Sequence, residues 1–287
     1  MTTLENKIDF AVILQVEKAN PNGDPLNGNR PRIDYNGIGE ISDVCLKRKI
    51  RNRLLDAGYP ILVQSDDYKV DEATSIKKRI DSKISSETQK DKKKFYEAAC
   101  KEWFDIRAFG QVLAFKSDKK SGKKSENDEE QDDTGISIAI RGPVSIHSAF
   151  SIEAVIPESL QITKSVNNED SEKGKKSSDT MGMKHRIDKA IYVFYGSMNP
   201  QLAEKTGFSN EDAEAIKKVL PKLFENDESS ARPAGSMSVL NVIWWNHGSK
   251  SGKYSSAKVH HSLKVKPDGT FELKKLEGLE PEIIDGF

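Results

Sequence analysis

An α+β fold is predicted by the order and patterning of the elements. Ile8–Ala19 (IDFAVILQVEKA) alternates and is β-branched at its centre, as a strand does. Ser42 to Ala57 reads as a helix, with Ser42 as N-cap, Gly58 just past its end, and Leu46, Ile50 and Leu54 in an i, i+4, i+8 stripe. A second helix, Ser209–Phe224, precedes a strong strand, SVLNVIWWN, Ser238–Asn246. Strands lie between the two helices, so the skeleton is strand–helix–strands–helix–strand. That order is compatible with a ferredoxin-like or RRM-like βαββαβ unit, elaborated within one domain over residues 1–287.

The remaining elements are insertions and connections. Residues 60–105 read as an inserted helical lobe. Ala73, Ile76, Ile80 and Ile84 repeat at helical spacing, as do Phe95, Ala99 and Trp103, with a polar SSETQKD segment parting two helices. Arg107–Phe115 (RAFGQVLAF) follows as an extended segment. Lys116–Asp133 is of low complexity, Lys/Ser/Gly-rich and then acidic; it cannot bury a core and is expected to be a mobile loop over 116–134. Gly135–Val155 reads as one or two strands bent near Gly142-Pro143. Gln161–Asn167 and Thr180–Gly196 are extended arms around a polar tip, Asn168–Asp179, so a hairpin is expected to protrude over 160–190. Ser209 with Asp212 forms a capping-box pair, and Ile216, Val219, Leu220 and Leu223 give that helix its buried face. Lys258–Val265 and TFELKKL form a late hairpin about Pro267-Asp268-Gly269, which puts adjacent His260 and His261 on opposite faces of a strand.

Composition narrows the class. Lys and Arg total 45 and Asp and Glu total 45, so the formal charge is zero, and any basic surface has to be local. Cys45 and Cys100 supply neither a disulfide framework nor a Cys metal site, and as small core residues on helices they suit a reducing compartment. MTTLENKIDF has no basic n-region with an apolar stretch behind it, and no apolar run approaches the ~18 residues of a membrane span, so a cytoplasmic chain without a membrane partner is expected. The five histidines, His147, His185, His247, His260 and His261, show no HExxH or paired metal spacing, and no cofactor motif of the Walker A or GxGxxG kind occurs.

The densest chemical signal runs from Asn20 to Leu55. A loop of Asn, Gly and Pro carrying Asn20, Asn22, Gly23, Arg30 and Arg32 leads into the helix that starts at Ser42 and carries Lys47, Arg48, Lys49, Arg51 and Arg53. From Arg30 to Arg53 seven bases face three acids, a local net of +4, whereas ENDEEQDD (Glu126–Asp133) holds six acids elsewhere. Glycine permits close backbone approach, helix N-terminal N–H groups attract anions and Arg forks match phosphates, so the stretch is read as a polyanion site. Asp24 and Asp34 in the same loop fit two readings: a metal site for phosphodiester cleavage, or turn caps and partners of Arg30 or Arg32. Basic residues also mark the hairpin, among them Lys164 and Lys184. Met181, Met183, Tyr192, Phe194 and Tyr195 there are open between wedging or stacking against bases and packing in the core.

NPNGDP (Asn20–Pro25), RPRID (Arg30–Asp34), SDVCLKRKIRN (Ser42–Asn52), WFDIRAFG (Trp103–Gly110), RGPVSIH (Arg141–His147) and TMGMKH (Thr180–His185) together resemble the repeated backbone subunit of type I CRISPR Cascade complexes, nearest the type I-C branch. The resemblance implies an RRM-like palm with a helical finger lobe and a thumb hairpin, and copies assembled head-to-tail along one CRISPR guide RNA, the crRNA. It implies a thumb that kinks the guide while the other bases pair with a target DNA strand, and further Cascade subunits at the RNA ends. It implies no catalytic residue in this chain. By position in those motifs, Asn20, Asn22, Gly23, Arg30, Arg32, Ser42, Lys47, Lys49, Arg51, Lys164, Met181 and Lys184 are the expected RNA-binding residues, with Lys47 and Arg51 on one helix flank foremost and Met181 the wedge. The competing expectation is a metal-dependent endoribonuclease, like the related type III subunits, using Asp34 or Asp24.

Overall fold

The computed structural model describes residues 2–115, 136–163 and 181–287. Its strands and helices, in chain order, begin with β1 (Ile8–Ala19), β2 (Gly23–Asp24), β3 (Arg30–Pro31), β4 (Ile38–Ile41) and α1 (Asp43–Asp56). The lobe follows as α2 (Ile76–Lys83), α3 (Ser86–Lys90), α4 (Lys92–Glu102), α5 (Phe104–Phe109), β5 (Gly110–Phe115) and β6 (Ile136–Arg141). Then come β7 (Val144–Ile146), β8 (Ala149–Ala154), β9 (Glu158–Thr163), β10 (Met181–Met198), α6 (Pro200–Thr206), α7 (Asn210–Val219) and β11 (Met237–Asn246). The chain closes with α8 (Ser256–His260), β12 (Leu263–Val265), β13 (Phe271–Leu273) and β14 (Glu282–Asp285).

The centre is an antiparallel sheet in the order β14-β11-β1-β10-β8-β4, with β7 and β9 also paired to β10. β1 and β10 occupy the middle, which is why IDFAVIL is apolar almost without interruption: Ile8 to Leu14 is buried on both faces. Phe10, Val12 and Leu14 face α1 and α7 in the larger core, while Ala11, Ile243 and Trp245 face a smaller one built by Val259, Leu263, Leu276 and Leu279. Phe10 stacks on Trp244 at 5.5 Å and meets Phe194 edge-on. Its cross-strand partner is Gly196, where a Cβ would come within 2.2 Å of the Phe10 ring, so only glycine lets the two strands pair there. α1 starts on Ser42, whose hydroxyl accepts the Cys45 N–H, and Gly58 beyond its end has positive φ. α7 carries the complete Ser209–Asp212 capping box. Among the described residues no helix is long and apolar enough to cross a membrane.

Several local expectations are corrected. SSETQKD is not a break between helices: Ser86–Lys90 is itself helical, capped by Ser85, and Ala73 lies before the helix rather than in it. Arg107–Phe115 divides: Phe104–Phe109 is helical and stops at Gly110, whose φ of 76° and close approach to the Ile140 carbonyl let the strand β5 begin against β6. Lys258–His260 is helix, not strand, so His260 and His261 do not alternate across a sheet, and β12 pairs with β13 only from Leu263. The edge strands β4 and β14 and the helix α6 carry too little periodicity to be read from sequence. The low-complexity stretch 116–134 lies outside the described residues.

The lobe has its own core, made by Leu62, Ile80, Phe95, Ala99, Trp103 and Ile106 with Leu113, Ile138 and Ile140 of the β5/β6 hairpin. Short helix α5 fastens this lobe to the sheet. Asp105, fully buried, accepts from Arg51 Nε at 3.0 Å and from the backbone N–H groups of Leu62 and Val63 at 2.8 and 3.1 Å. Arg107 forms two bonds, 2.9 and 2.8 Å, to Asp212 at the start of α7. Removing one partner of such a buried pair strands the other charge. Asp105→Ala is therefore expected to lower unfolding free energy by about 3–5 kcal/mol, measured by urea denaturation, and Arg51→Met in the same background to recover part of it.

A second buried carboxylate ties the far face. Asp9 Oδ2 accepts from His247 Nε2 at 2.8 Å with Lys7 Nζ at 3.3 Å, and His247 Nδ1 accepts the Lys253 N–H at 2.9 Å, so the imidazole proton sits on Nε2. Burial pushes the Asp9 carboxyl up; the His247 bond, with His260, Ser256 and Lys7 nearby, outweighs it and holds the carboxyl well below the usual range. A depressed carboxylate contributes stability that is complete above its unfolded value of about 3.9 and is lost as pH falls below it. The gap in unfolding free energy between wild type and Asp9→Asn should be widest near neutrality and shrink steadily from about pH 4 downward, read by urea titrations at stepped pH.

Candidate nucleic-acid interface

The Asn/Gly/Pro segment folds into a small pinned hairpin. Gly23 pairs with Pro31 and Asp24 with Arg30. Asn20 donates its backbone N–H to the Ala231 carbonyl at 2.9 Å and its amide to the Asn29 carbonyl at 2.7 Å. Asn22 Oδ1 accepts both the N–H and the hydroxyl of Ser42, each at 2.9 Å, so the loop and the first turn of α1 form one hydrogen-bonded unit. At Gly23 a Cβ would stand 2.0 Å from Asn29 Oδ1, and the chain turns back through Gly28 with φ of 60°. Asn20, Asn22, Gly23 and Ser42 thus hold the loop in shape, with Asn20 buried.

Asp24 and Asp34 have turn-forming partners. Asp24 accepts the Leu26 N–H at 3.2 Å and lies 3.6 Å from Arg32 Nη2. Asp34 Oδ1 accepts the N–H groups of Asn36 and Ile38, both at 2.8 Å. Among the described residues no group of three or more His, Cys, Asp or Glu is arranged to hold a metal ion.

The basic residues separate by exposure. Arg30 is exposed, Arg32 is partly so, and Lys47 is half-buried on Asp43 at 2.9 Å. Lys49 and Arg51 are turned inward, against the sequence expectation that their charges face a phosphate backbone. Lys49 is 3% exposed, paired with Asp227 and lying over the Phe224 ring. Arg51 is committed to Asp105 and lies over Phe109. Both sit where a 14-residue helix must dock on other elements, so its face is decided by packing and not by charge alone.

The hairpin arms pair from Glu158↔Arg186 to Thr163↔Met181, and Lys164 with the tip through residue 180 lies outside the described residues. Met181 and Met183 are 65% and 55% exposed, Leu160 and Ile162 are exposed too, and Lys184 is half-buried. Tyr192 and Phe194 are fully buried, so they belong to the core. Ala19 at the end of β1 pairs with Ile187, and β3 packs beside β10, which brings Arg30–Pro31 to the base of the hairpin. Sequence reading missed Arg232. Its Nε reaches Asp227 at 3.2 Å, the same carboxylate that holds Lys49, and its neighbour Ala231 anchors Asn20. The signal was there in ARPAGS, a second Arg/Pro/Gly loop between a helix and a strand.

The fold and this site define a mixed α/β protein with a central antiparallel sheet, in which an arginine-bearing loop tied by hydrogen bonds to a cationic helix meets the base of a paired hairpin. The chain belongs to the CRISPR-associated protein Cas7 family, whose model matches residues 6–282. A CRISPR-associated protein Cas7 of Haloferax volcanii is 26% identical over 293 aligned positions, covering 99% of this chain and 82% of that protein. Among solved structures, a chain of a CRISPR RNA-guided surveillance complex in a pre-nicking state matches with a TM-score of 0.43 and 15% identity over 83% of this chain and 78% of that one. A chain of another CRISPR RNA-guided surveillance complex matches with a TM-score of 0.44 and 15% identity over 83% of this chain and 68% of that one.

Asn22 is the joint between loop and helix. Asn22→Ala is expected to cost about 1–2 kcal/mol, because both Ser42 donors lose their acceptor. Asn22→Asp, which keeps an acceptor, should cost less; thermal unfolding of the two variants side by side checks this.

Proposed function

We propose that this chain is a non-enzymatic guide-RNA-binding subunit that oligomerises along the crRNA of a type I Cascade complex, of the I-C kind. In this reading it holds the RNA by its backbone and displays bases for pairing with a target DNA strand. Family membership across residues 6–282 supports the setting. The observation that carries the binding mode is the hydrogen-bonded union of the 20–41 loop with the α1 N-terminus at Asn22–Ser42. It fixes a Gly-containing backbone and the exposed Arg30 beside the base of the hairpin. Backbone contacts position a strand and carry no sequence information; pairing to the guide supplies the specificity, as in other RNA-guided effectors. The sheet with α1 and α7 serves as an RRM-like palm, the lobe as a finger, and β9/β10 as a thumb on which Met181 wedges between bases. Arg30, Arg32, Lys47, Lys164 and Lys184 take phosphates, and Gly23 gives the backbone close approach. Asn20, Asn22 and Ser42 act by holding the loop, and Lys49 and Arg51 by holding α1. The turn-capping work of Asp24 and Asp34 favours this reading over a ribonuclease.

Purified protein should carry RNA of regular length steps. Arg30→Glu with Lys47→Glu should weaken RNA binding and lower the slope of log affinity against log salt by about 0.7 for each lost single-strand phosphate contact. An unchanged slope, or RNA-free protein that assembles normally, contradicts the proposal. Periodic Mg²⁺-dependent cleavage of complementary RNA that Asp34→Ala abolishes would establish the ribonuclease instead.

A further inference from the structure

One of the seven tyrosines stands apart from the rest. Tyr59 meets Phe104 edge-on, Tyr68 donates its hydroxyl to Asp56, and Tyr96 packs against the lobe core. Tyr192 is fully buried, Tyr195 stacks on His260, and Tyr254 lies under Lys258 with its hydroxyl on the Glu277 carbonyl. Tyr35 is 109% exposed and, among the described residues, its side chain has no hydrogen bond, ring contact or cation over its face.

The backbone beneath this bare ring is held firmly. The Gly37 N–H donates to the Asp34 carbonyl at 3.1 Å and closes a turn around Tyr35 and Asn36. Asp34 Oδ1 accepts the Asn36 and Ile38 N–H groups from inside that turn, and Gly37 takes the positive φ of 79° that it requires. The Gly37 carbonyl accepts the Val155 N–H at 2.8 Å, and the Gly39 N–H donates to Ser151 Oγ at 2.8 Å, which moors the turn to the end of β8. Behind it Ile33 bridges Gly39, and the Glu40 N–H donates to the Arg32 carbonyl at 2.9 Å. The ring is therefore carried outward on a fixed tip of the segment that also bears Arg30 and Arg32.

The chemistry of that tip selects a partner. A tyrosine ring supplies about 150–250 Å² of contact area with flat π-faces. Every nucleobase has a matching face, so stacking on an aromatic ring is blind to base identity. Arg30, exposed, and Arg32, partly so, place positive charge on the same segment, and charge draws in a phosphate strand. The acid beside the ring, Asp34, has one oxygen occupied by two N–H groups of its own turn. In a duplex the bases cover one another, whereas an unpaired strand leaves base faces open to side chains.

We propose that Tyr35 is a stacking platform for an unpaired nucleobase of the single strand held at the 20–41 loop. The inference rests on the proposed guide-RNA role and adds a base contact, indifferent to sequence, to a grip made on the backbone. The test uses full-length chain freed of nucleic acid in high salt, a labelled single-stranded RNA, and an abasic strand of the same length that keeps every phosphate and loses every base. Tyr35→Ala should weaken RNA binding roughly 5- to 150-fold. The slope of log affinity against log salt should not change, because no phosphate contact is lost. Tyr35→Trp and Tyr35→Phe should bind RNA close to wild type, and all three variants should bind the abasic strand as wild type does. Thermal unfolding of Tyr35→Ala should match wild type, since the ring packs on nothing. The platform is overturned if Tyr35→Ala binds RNA as tightly as wild type, or if it loses as much on the abasic strand. A loss that instead tracks self-association of the chain overturns it too, and assigns the ring to a second copy. Wild-type chain that binds neither strand sinks the guide-binding role itself, whereas wild-type binding with no effect of Tyr35→Ala leaves that role standing and removes only the platform.

Discussion

A carboxylate that water does not reach fixes where the two halves of this protein sit. Asp105 is fully buried and accepts one guanidinium and two backbone N–H groups. The lobe's core and the core against the main sheet are separate clusters, so apolar packing alone leaves their relative placement loosely defined. An ion with three donors in fixed directions does not. Two residues further along α5, Arg107 grips Asp212, itself the reciprocal partner in the α7 capping box. One short helix therefore sets the lobe against both α1 and α7, and everything mounted on the lobe inherits that placement. A buried pair of this kind adds definition more surely than it adds stability, since its desolvation cost is large.

This explains why the basic helix could be read only in part. The composition of SDVCLKRKIRN showed that a helix starts at Ser42 and is cationic, and both are so. It did not show which cations face outward. Lys49 and Arg51 meet Asp227 and Asp105, which lie 178 and 54 residues away in the chain. Pairings at such separations leave no local trace, whereas a cap three residues from its N–H does. The same division runs through the fold. Central strands, capped helices and the paired arms of the hairpin were legible because periodicity and caps are local. The edge strands β4 and β14 were not, because each has a handful of residues and takes its place from the strand beside it. His260 was misplaced because Val259 and His260 are buried as the last turn of a five-residue helix, too short for a period to show.

WFDIRAFG gains a physical account on the same grounds. Each of its polar residues is a fastening, Asp105 to α1 and Arg107 to α7, with Gly110 permitting the close approach of the Ile140 carbonyl. NPNGDP is likewise more scaffold than contact surface: Asn20 and Asn22 point their amides at the protein, leaving the backbone and Arg30 to face outward. A motif dense in hydrogen-bonding side chains next to a suspected ligand invites the reading that those side chains touch it. Here the geometry assigns most of them to shaping the loop.

A loop shaped this firmly suits a ligand that has to be held identically whatever its sequence. A flexible cradle would adapt to each base in turn and pay ordering entropy every time. A pinned backbone with a few outward charges meets only what every nucleotide shares, phosphate and sugar. The zero net charge of the chain fits that economy of contact. A uniformly basic surface would bind any polyanion and repel further copies of itself. Burying Lys49 and Arg51 in ion pairs keeps the helix in place without adding to the outward field.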